Sequence, residues 1–333
     1  MANLLRTVYW NANGLTRKAT LVRSLLKEQD IDIALINETH LSPRFKLQFP
    51  GYFTYRLDDQ SPGPTSKRGL AVLVRRRIVH QPIPALQLQS LQALGVELLI
   101  AGKPHRLFAI YRPPGSTLIL REVHSLLDSP YPTILAGDWN AKHPAWHSRK
   151  TCSTGRRLLD DAACQLYEVT GPQSPTHYPF LRTLPPDVID LVVSKGLENP
   201  PALEVLVDEL GSDHLPVLAT YDAGTHATPQ PPPRTRVDWK LFEQKVRESS
   251  ITRPTTTPED VESLAKDLTS TIAAAQTQAS TTDPDPGPKS PLPYRLRLLI
   301  EKKRRLRRQW QSTRCPTLKR QLNRLVEEVG QIL

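Results

Sequence analysis

The feature that most constrains the fold is a series of short apolar runs rich in Val, Ile and Leu, separated by segments with helical spacing. Runs of this kind are typical of buried strands. Eight candidate strands are Arg6–Trp10, Ile31–Ile36, Leu70–Val74, Val96–Ala101, Arg106–Tyr111, Thr133–Ala136, Asp187–Val193 and Pro216–Tyr221. Helical periodicity occurs in Lys18–Glu28, Leu118–Leu127 and Gly155–Leu166. This alternation predicts an α/β layered domain over residues 1–222.

The composition changes after Tyr221. Residues 228–234 are rich in proline, which lacks the N–H that ladders and helices need. We therefore predict a Pro/Thr-rich linker over 223–293, with weakly amphipathic helices at Trp239–Arg247 and Pro258–Ala275. A helical tail is predicted over 294–333. It starts with a basic helix, Tyr294–Gln311, and continues after Pro316 with apolar residues on one helix face, at Leu318, Leu322, Leu325, Val326, Val329 and Leu333.

Positive charge is concentrated in this tail. The chain carries a net charge of +11, of which residues 294–333 contribute +9 through 12 Lys and Arg against 3 acidic residues. Residues 1–222 carry +3 and residues 223–293 carry −1. A segment of this charge attracts polyanions, most often nucleic acid. The alternative is a solvated helix or a targeting signal, and the apolar face of the tail could instead serve a partner protein.

Other compartments and classes are disfavoured. No run of 18 apolar residues is present, so we expect no membrane span. The N-terminus enters a strand directly and does not have the pattern of a signal peptide. The three cysteines, Cys152, Cys164 and Cys315, match no zinc spacing and are expected to be reduced thiols. We expect an intracellular protein, nuclear or cytoplasmic.

A carboxylate and an amide follow one of the apolar strands. In Gly137-Asp138-Trp139-Asn140, Asp138 and Asn140 are two residues apart at a strand end, so both side chains can face one cleft. A carboxylate beside an amide suits holding and deprotonating a water molecule. Taken alone, the same residues also make a good turn.

Two further strand ends carry hard-metal ligands or proton donors. Glu38 follows the strand Ile31–Ile36, where open α/β sheets gather their ligands. Asp213 and His214 come directly before the last strand and can offer a carboxylate and an imidazole. An ordinary loop before a strand is the alternative for the second pair.

Three more polar residues lie at or in predicted strands. Asn11 ends the first strand and could contact phosphate or a metal-bound water. Tyr111 ends another strand, and its phenol could donate to a phosphate oxygen or be buried in the core. Asp190 lies inside an apolar strand, where a buried charge needs a partner. We predict that His214 is that partner.

The ordered series of these residues resembles the endonuclease/exonuclease/phosphatase superfamily over residues 4–222. Within it, the chain is most similar to the retrotransposon endonucleases of the jockey and R-element type. The stretches that carry the resemblance are Trp10-Asn11-Ala12-Asn13-Gly14-Leu15, Asn37-Glu38-Thr39-His40-Leu41, Tyr111-Arg112-Pro113-Pro114, Gly137–His143 with Trp146, Pro186–Leu191 and Ser212-Asp213-His214. Residues 223–333 resemble the spacer that joins such endonucleases to a reverse transcriptase.

The resemblance implies a four-layer sandwich, in which two mixed β-sheets pack face to face with helices outside. It also implies a DNA-nicking, metal-dependent phosphodiesterase without its reverse transcriptase. DNA would be the partner, with RNA a further one for the basic tail. The cofactor would be Mg²⁺, with Mn²⁺ as the alternative ion. The roles that the resemblance implies are metal binding by Glu38 with Asn11 and Asp213 nearby, water activation by Asp138 with Asn140, phosphate contacts by Tyr111, Asn11 and His143, and donation to the scissile phosphate by His214 held by Asp190.

Two alternatives remain open at this stage. An enzyme of the same fold could act on a small phosphoester, because the catalytic series alone does not set the substrate. The chain could instead be an inactive, transposon-derived module that only binds nucleic acid. Plasmid nicking with Mg²⁺ or with EDTA separates an enzyme from a binding module.

Overall fold

A computed structural model describes most of the chain as two compact units. The first contains the described residues up to 222 together with 293–332, and the second contains the described residues of 235–282. The described ranges are 4–59, 68–100, 102–181, 183–207, 210–222, 235–249, 256–282 and 293–332. The proline-rich stretches at 228–234 and 283–288 lie outside these ranges.

Fourteen strands and seven helices are described. The strands are β1 (Leu4–Asn11), β2 (Ile33–Asn37), β3 (Tyr52–Leu57), β4 (Leu70–Arg75), β5 (His80–Pro82), β6 (Gln92–Ile100), β7 (Lys103–Tyr111), β8 (Thr133–Asp138), β9 (Glu168–Thr170), β10 (Asp190–Lys195), β11 (Ala202–Val205), β12 (Val217–Asp222), β13 (Thr235–Val237) and β14 (Ser280–Thr282). The helices are α1 (Ala19–Glu28), α2 (Leu120–Leu127), α3 (Ser153–Gln165), α4 (Trp239–Glu248), α5 (Pro258–Ala279), α6 (Tyr294–Thr313) and α7 (Pro316–Ile332).

Two six-stranded mixed sheets form the centre of the first unit. The first has the order β11-β12-β1-β2-β4-β3 and the second the order β5-β6-β7-β8-β10-β9. The β1–β2 and β7–β8 pairs are parallel, and the other pairs in the two sheets are antiparallel. The carboxyl ends of four strands, β1, β2, β7 and β8, therefore lie at matching edges of the two sheets.

Three apolar clusters create four layers. The central cluster joins inward-facing residues of the two sheets, such as Leu35 and Val72 of the first and Val96 and Ala136 of the second. A second cluster packs α1, α6 and α7 on the outside of the first sheet. A third packs α2 and α3 on the outside of the second. The predicted fold, two mixed sheets face to face with helices outside, is confirmed.

The C-terminal helices belong to this packing. Leu296 and Ile300 of α6 and Val329 of α7 are buried in the cluster with α1. Burying such side chains stabilises each by about 1.5–3 kcal/mol relative to exposing them. The apolar face predicted after Pro316 is thus largely covered within the chain itself, with Leu322 and Leu325 also buried; Leu333 lies outside the described residues.

The second unit is a small β-α-α-β arrangement. Strand β13 precedes helices α4 and α5, and strand β14 follows them. The two strands pair antiparallel, from Thr235 opposite Thr282 to Val237 opposite Ser280. Helix α5 begins at a capping box, in which Thr257 accepts from the Asp260 amide and Asp260 accepts from the Thr257 amide. The weak helices predicted for the linker region are therefore present, and the paired strands were not predicted.

Two other expectations concern the cysteines and membrane-spanning helices. All three cysteines are free thiols, and Cys152 accepts from the Gly155 amide at the start of α3. Among the described residues, the helices are each too short or too polar to cross a bilayer.

Candidate active site

The polar residues singled out above converge where the two sheets meet at one edge. Asn11 ends β1 in register with Asn37 of β2. In the second sheet, Asp138 pairs with Tyr111 on one side and with Asp190 on the other. The strand register therefore groups these side chains within each sheet, and the packing of the two sheets brings the two groups together.

Asn11 connects the two sheets. Its Nδ2 donates to Glu38 Oε1 at 3.0 Å and to Asp138 Oδ2 at 2.9 Å. Its Oδ1 accepts the backbone amide of Asn13 at 3.0 Å. The amide is therefore oriented with its donor toward the two carboxylates, and it holds one from each sheet at a fixed separation.

His214 forms the buried pair that the apolar setting of Asp190 predicts. Its Nδ1 lies 2.9 Å from Asp190 Oδ2, and its Nε2 lies 3.8 Å from Asp138 Oδ2. All three side chains are buried. Because a carboxylate can only accept, Nδ1 carries the proton and Nε2 is directed into the cleft beside Asp138.

Burial and charge set the protonation states of this group. Burial alone would lower the pKa of His214, but the charges and hydrogen bond of Asp190 and the charge of Asp138 raise it to about 10. Burial raises the pKa of Asp138 to about 7; the Asp190 charge adds to this, while the His214 charge opposes it. The pair thus combines a cationic donor with a carboxyl group that ionises near neutrality.

Asp213 has its own set of partners. Burial would raise the pKa of its carboxyl group, but the hydrogen bond from His177 and the nearby imidazole charges hold it well below its usual range. His177 Nε2 lies 3.3 Å from Asp213 Oδ2, and Asn13 Nδ2 donates to Oδ1 at 3.3 Å. The His177 ring also stacks on His214, with centroids 4.5 Å apart. Asp213 is therefore ionised and held at the cleft.

Tyr111 and Asn140 complete the group. Burial and a hydrogen bond to Glu38 raise the pKa of Tyr111, so its phenol remains a proton donor. Asn140 adopts a left-handed backbone (φ 47°), and its amide N–H donates to Asp138 Oδ1 at 2.9 Å. Its side-chain Nδ2 donates to the carbonyl of Arg112, whose guanidinium donates to the Trp139 and Asn140 carbonyls. These contacts fix Asn140 beside Asp138.

His143 is placed differently from the other predicted residues. Its Nδ1 accepts the Ala145 amide at 3.1 Å, and its ring packs on Trp146 at 5.4 Å between centroids. These contacts give it a structural role in the turn after Asn140. A substrate contact for its other nitrogen stays a prediction.

Three contacting residues were not identified from the sequence. His177 lies in an irregular segment without periodicity, and Asn13 and Arg112 were named only within the stretches that carry the family resemblance. The isolated bridges of His177 to Asp187 and to His214 bring the first of these between the sheets. The sequence offered one signal for His177: it is a histidine in a loop between two predicted strands that carry candidate site residues.

The donor set fits a hard divalent cation. Glu38 and Asp213 present partly exposed carboxylates at the cleft, and Asn11 and Asn13 link them through hydrogen bonds. Carboxylate oxygens are the ligands that Mg²⁺ takes. Among the described residues, two groupings have ligand atoms close enough together to hold an ion, His177 with Asp213 and His214, and Asp138 with Asp190 and His214. Both use His214, whose Nδ1 is already bound to Asp190. The carboxylates of Glu38 and Asp213 therefore suit a hard cation better.

A sandwich of two mixed sheets with paired Asp, Asn and His residues at one edge defines a class of protein. Residues 8–214, more than half of the chain, match the Endonuclease/Exonuclease/phosphatase family, and the chain belongs to this family.

The chain is also similar to proteins of mobile elements. The chain is 29% identical to two proteins of Drosophila melanogaster, the probable RNA-directed DNA polymerase from transposon X-element and the RNA-directed DNA polymerase from mobile element jockey. The first match covers 98% of this chain and the second 96%, and each covers 36% of the relative. The jockey protein of Drosophila funebris is 33% identical over 68% of this chain and 24% of its own length. The chain thus spans 36% of the length of the two Drosophila melanogaster proteins, and the match covers 24% of the Drosophila funebris one.

Solved structures share the fold. The endonuclease domain of TRAS1, a telomere-specific non-LTR retrotransposon, superposes with a TM-score of 0.52 at 18% identity, over 66% of this chain and 99% of that domain. The AP endonuclease LMAP from Leishmania major gives a TM-score of 0.51 at 14% identity, over 66% of this chain and 88% of its own. At these identities the likeness is one of fold. The chain therefore has the nuclease fold of retrotransposon and AP endonucleases.

Proposed function

We propose that this chain is a metal-dependent phosphodiesterase that nicks DNA. The observation that carries the proposal is the joining of Asp138 and Glu38 by Asn11, beside the His214–Asp190 pair. This arrangement combines a base, an acid and carboxylates for a cation in one cleft. The relatives of the chain in transposable elements favour DNA as the polymer.

In the proposed reaction, Asp138 accepts the proton of the attacking water. Its carboxyl group ionises near pH 7, which suits a general base at neutral pH. Asn140, fixed by Arg112, holds the water beside Asp138. Asn11 keeps Asp138 aligned with Glu38 across the two sheets.

His214 and Tyr111 are the proposed hydrogen-bond donors to the scissile phosphate. His214, protonated and held by Asp190, donates through Nε2 to a non-bridging oxygen of the scissile phosphate, and the Tyr111 phenol donates to the same phosphate. Preorganised donors aimed at developing negative charge are among the strongest contributors to catalysis. Glu38 and Asp213 would hold Mg²⁺, or Mn²⁺ in its place, with Asn11 positioning Glu38. When bound, the ion supplies neutralisation of phosphate charge and stabilisation of the leaving oxygen.

Plasmid nicking tests the proposal. We expect the protein to relax supercoiled plasmid with Mg²⁺ and to lose this activity with EDTA. Asp138→Ala and His214→Ala are each expected to lower the rate on the order of a hundredfold or more. A matched control is the His124–Asp161 pair, which is 2.9 Å apart and connects α2 with α3. His124→Ala and Asp161→Ala are expected to nick at close to the original rate.

Three outcomes would contradict parts of the proposal. Activity that resists EDTA, or that persists in both site variants, would remove the mechanism. Hydrolysis of a small phosphomonoester without plasmid nicking would assign the site to a phosphatase of the same fold. DNA binding without hydrolysis under any metal would leave the binding module as the function.

A further inference from the structure

The basic helices are rigidly joined to the catalytic unit. We call α6 and α7 together the basic arm. Leu296 and Ile300 fasten its first half into the cluster with α1, and Arg304 forms an ion pair with Glu28 of α1 at 3.2 Å. The arm is thus a fixed part of the domain that carries the candidate site.

The junction of α6 and α7 lies beside the candidate site. We call the part from Arg307 to Lys319 the arm tip. Trp310 of the tip packs against Tyr178, with ring centroids 6.4 Å apart. Tyr178 directly follows His177, and its amide donates to the carbonyl of Asp213 at 2.8 Å. The residue that contacts the arm tip is therefore the direct neighbour of the histidine that holds Asp213.

Cations and aromatic rings alternate at this tip. Arg314 and Lys319 lie over the Trp310 ring at 4.5 and 4.4 Å from its centroid. Lys319 also lies 5.6 Å from the centroid of Phe180, which is 61% exposed. Trp310 itself is buried beneath these side chains. Basic side chains held on aromatic faces are a common way to build a nucleic-acid contact.

Like charges are gathered here, which favours an anionic ligand. Arg307 and Arg314 both lie over Tyr178, at 5.5 and 5.4 Å from the ring centroid. Burial lowers the pKa of Arg314, and the Arg307 charge lowers it further. A phosphate brought to this surface would relieve that repulsion.

We propose that the arm tip, through Arg314 and Lys319, binds phosphates of the DNA backbone next to the scissile one. This inference rests on the proposed function, since the substrate strand must lie in the cleft beside His177. Along one strand, successive phosphates advance about 3.4 Å per nucleotide along the helix axis, so neighbours of the scissile phosphate lie within reach of a surface this close. Such contacts position the substrate and add affinity without choosing its sequence. A charged helix that is merely solvated would show no difference between its two ends.

The start of α6 provides the matched comparison. Arg295 and Arg297 are both exposed there, and Arg297 and Arg314 are separated by about 25 Å along the helix axis. The test variant is Arg314→Gln/Lys319→Gln, and the control is Arg295→Gln/Arg297→Gln, which removes the same charge from the start of α6. Lys319→Gln alone is a second test variant that leaves the Arg314–Trp310 contact in place.

Binding is measured by fluorescence anisotropy of a labelled DNA duplex, in EDTA, at several salt concentrations. Each lost phosphate contact lowers the slope of log affinity against log salt by about 0.9. We expect a drop of up to about 1.8 for the tip double variant, up to about 0.9 for Lys319→Gln, and almost none for the control at the start of α6. Equal slopes for the tip double variant and that control, with both proteins folded by circular dichroism, would overturn the proposal. Because no cleavage is needed, a protein that never nicks DNA can still show the slope difference, and one that nicks normally can still lack it.

Discussion

At the scale of single residues, the site depends on one buried ion pair. Asp190 and His214 are both buried, and each would be costly to bury without the other. Because Asp190 orients the ring and keeps it charged, the two side chains act as one device. Their effects on rate are therefore expected to be far from additive.

Asp190→Asn tests this coupling. It is expected to lose activity nearly as badly as His214→Ala, because the imidazole loses both its orientation and its charge. The double variant is expected to be little slower than either single variant. Single-turnover nicking rates of the three proteins give the coupling directly, and simple multiplication of the two losses would contradict it.

The same pair sets the pH dependence. Activity needs Asp138 deprotonated and His214 protonated, so the rate is expected to rise through about pH 7 and fall near pH 10. The negative charge of Asp190 raises the pKa of both groups. Removing it in Asp190→Asn is therefore expected to move both limbs of the residual pH–rate profile to lower pH. A profile that keeps its position would show that Asp190 does not act through charge.

Gly137 positions the strand end that carries Asp138. A Cβ added there would lie 2.0 Å from the Ile110 carbonyl oxygen and 2.7 Å from Asn37 Nδ2. Ile110 lies on the adjacent strand β7, and Asn37, on β2 of the facing sheet, donates to the Ile110 carbonyl at 2.6 Å. Neither neighbour can withdraw, so Gly137→Ala is expected to lower the free energy of unfolding by about 3 kcal/mol or more. Gly330→Ala is the control, because no atom lies within 4 Å of its added Cβ. Urea unfolding of both variants measures the difference, and similar midpoints would contradict it.

At the scale of secondary structure elements, continuous apolar runs were a sufficient signal for the inner strands. All eight candidate strands in residues 1–222 are present within a few residues of their predicted bounds. The strands missed in this region are β3, β5, β9 and β11, which lie at or near sheet edges and are half-exposed or exposed along most of their length. Short edge strands need no apolar run, because only one side of each is paired and covered.

The same contrast holds for the candidate site: its residues at the ends of inner strands were predicted, and its residues in loops were not. Residues at the ends of inner strands could be placed from the strand register, and Asn11, Tyr111, Asp138 and Asp190 do meet. The contacts of His177 and Asn13 arise where loops fold back between the sheets, and such long-range contacts leave no periodic pattern in the sequence. The packing of α6 on α1 was likewise not predicted, because the sequence of a basic helix does not show which surface its apolar face will cover.

Ile300 tests whether α6 unfolds together with the sheets. It is 3% exposed in the cluster shared with α1, and Ile300→Ala is expected to cost about 2–5 kcal/mol. Leu298→Ala on the same helix is the control, because this side chain is 47% exposed and its loss is expected to cost less than about 0.5 kcal/mol. If the arm is part of one cooperative unit, fluorescence and circular dichroism will report a single transition at a lower urea concentration. A separate early transition, with the main one unmoved, would show an arm that unfolds independently.

At the scale of the whole molecule, the candidate site and the excess of positive charge lie in the same one of the two units. The candidate site and the basic arm both lie in the first unit, in residues up to 222 and 293–332. Residues 223–293 carry a net charge of −1 and contain none of the predicted site residues. A net negative segment gains nothing from a polyanionic substrate. The first unit therefore contains both groups proposed to act on DNA.

This division predicts that the second unit is dispensable for nicking. We expect a variant in which a Gly/Ser segment of equal length replaces residues 229–289 to keep its nicking rate within about twofold, which corresponds to about 0.4 kcal/mol in the barrier. The salt slope of DNA binding is also expected to stay unchanged, because the basic arm remains and a net charge of −1 in residues 223–293 contributes no phosphate contact. Plasmid nicking and anisotropy titrations compare this variant with the complete chain. A folded variant that lost nicking, or a shallower salt slope, would place substrate contacts in the second unit and contradict the division drawn from charge.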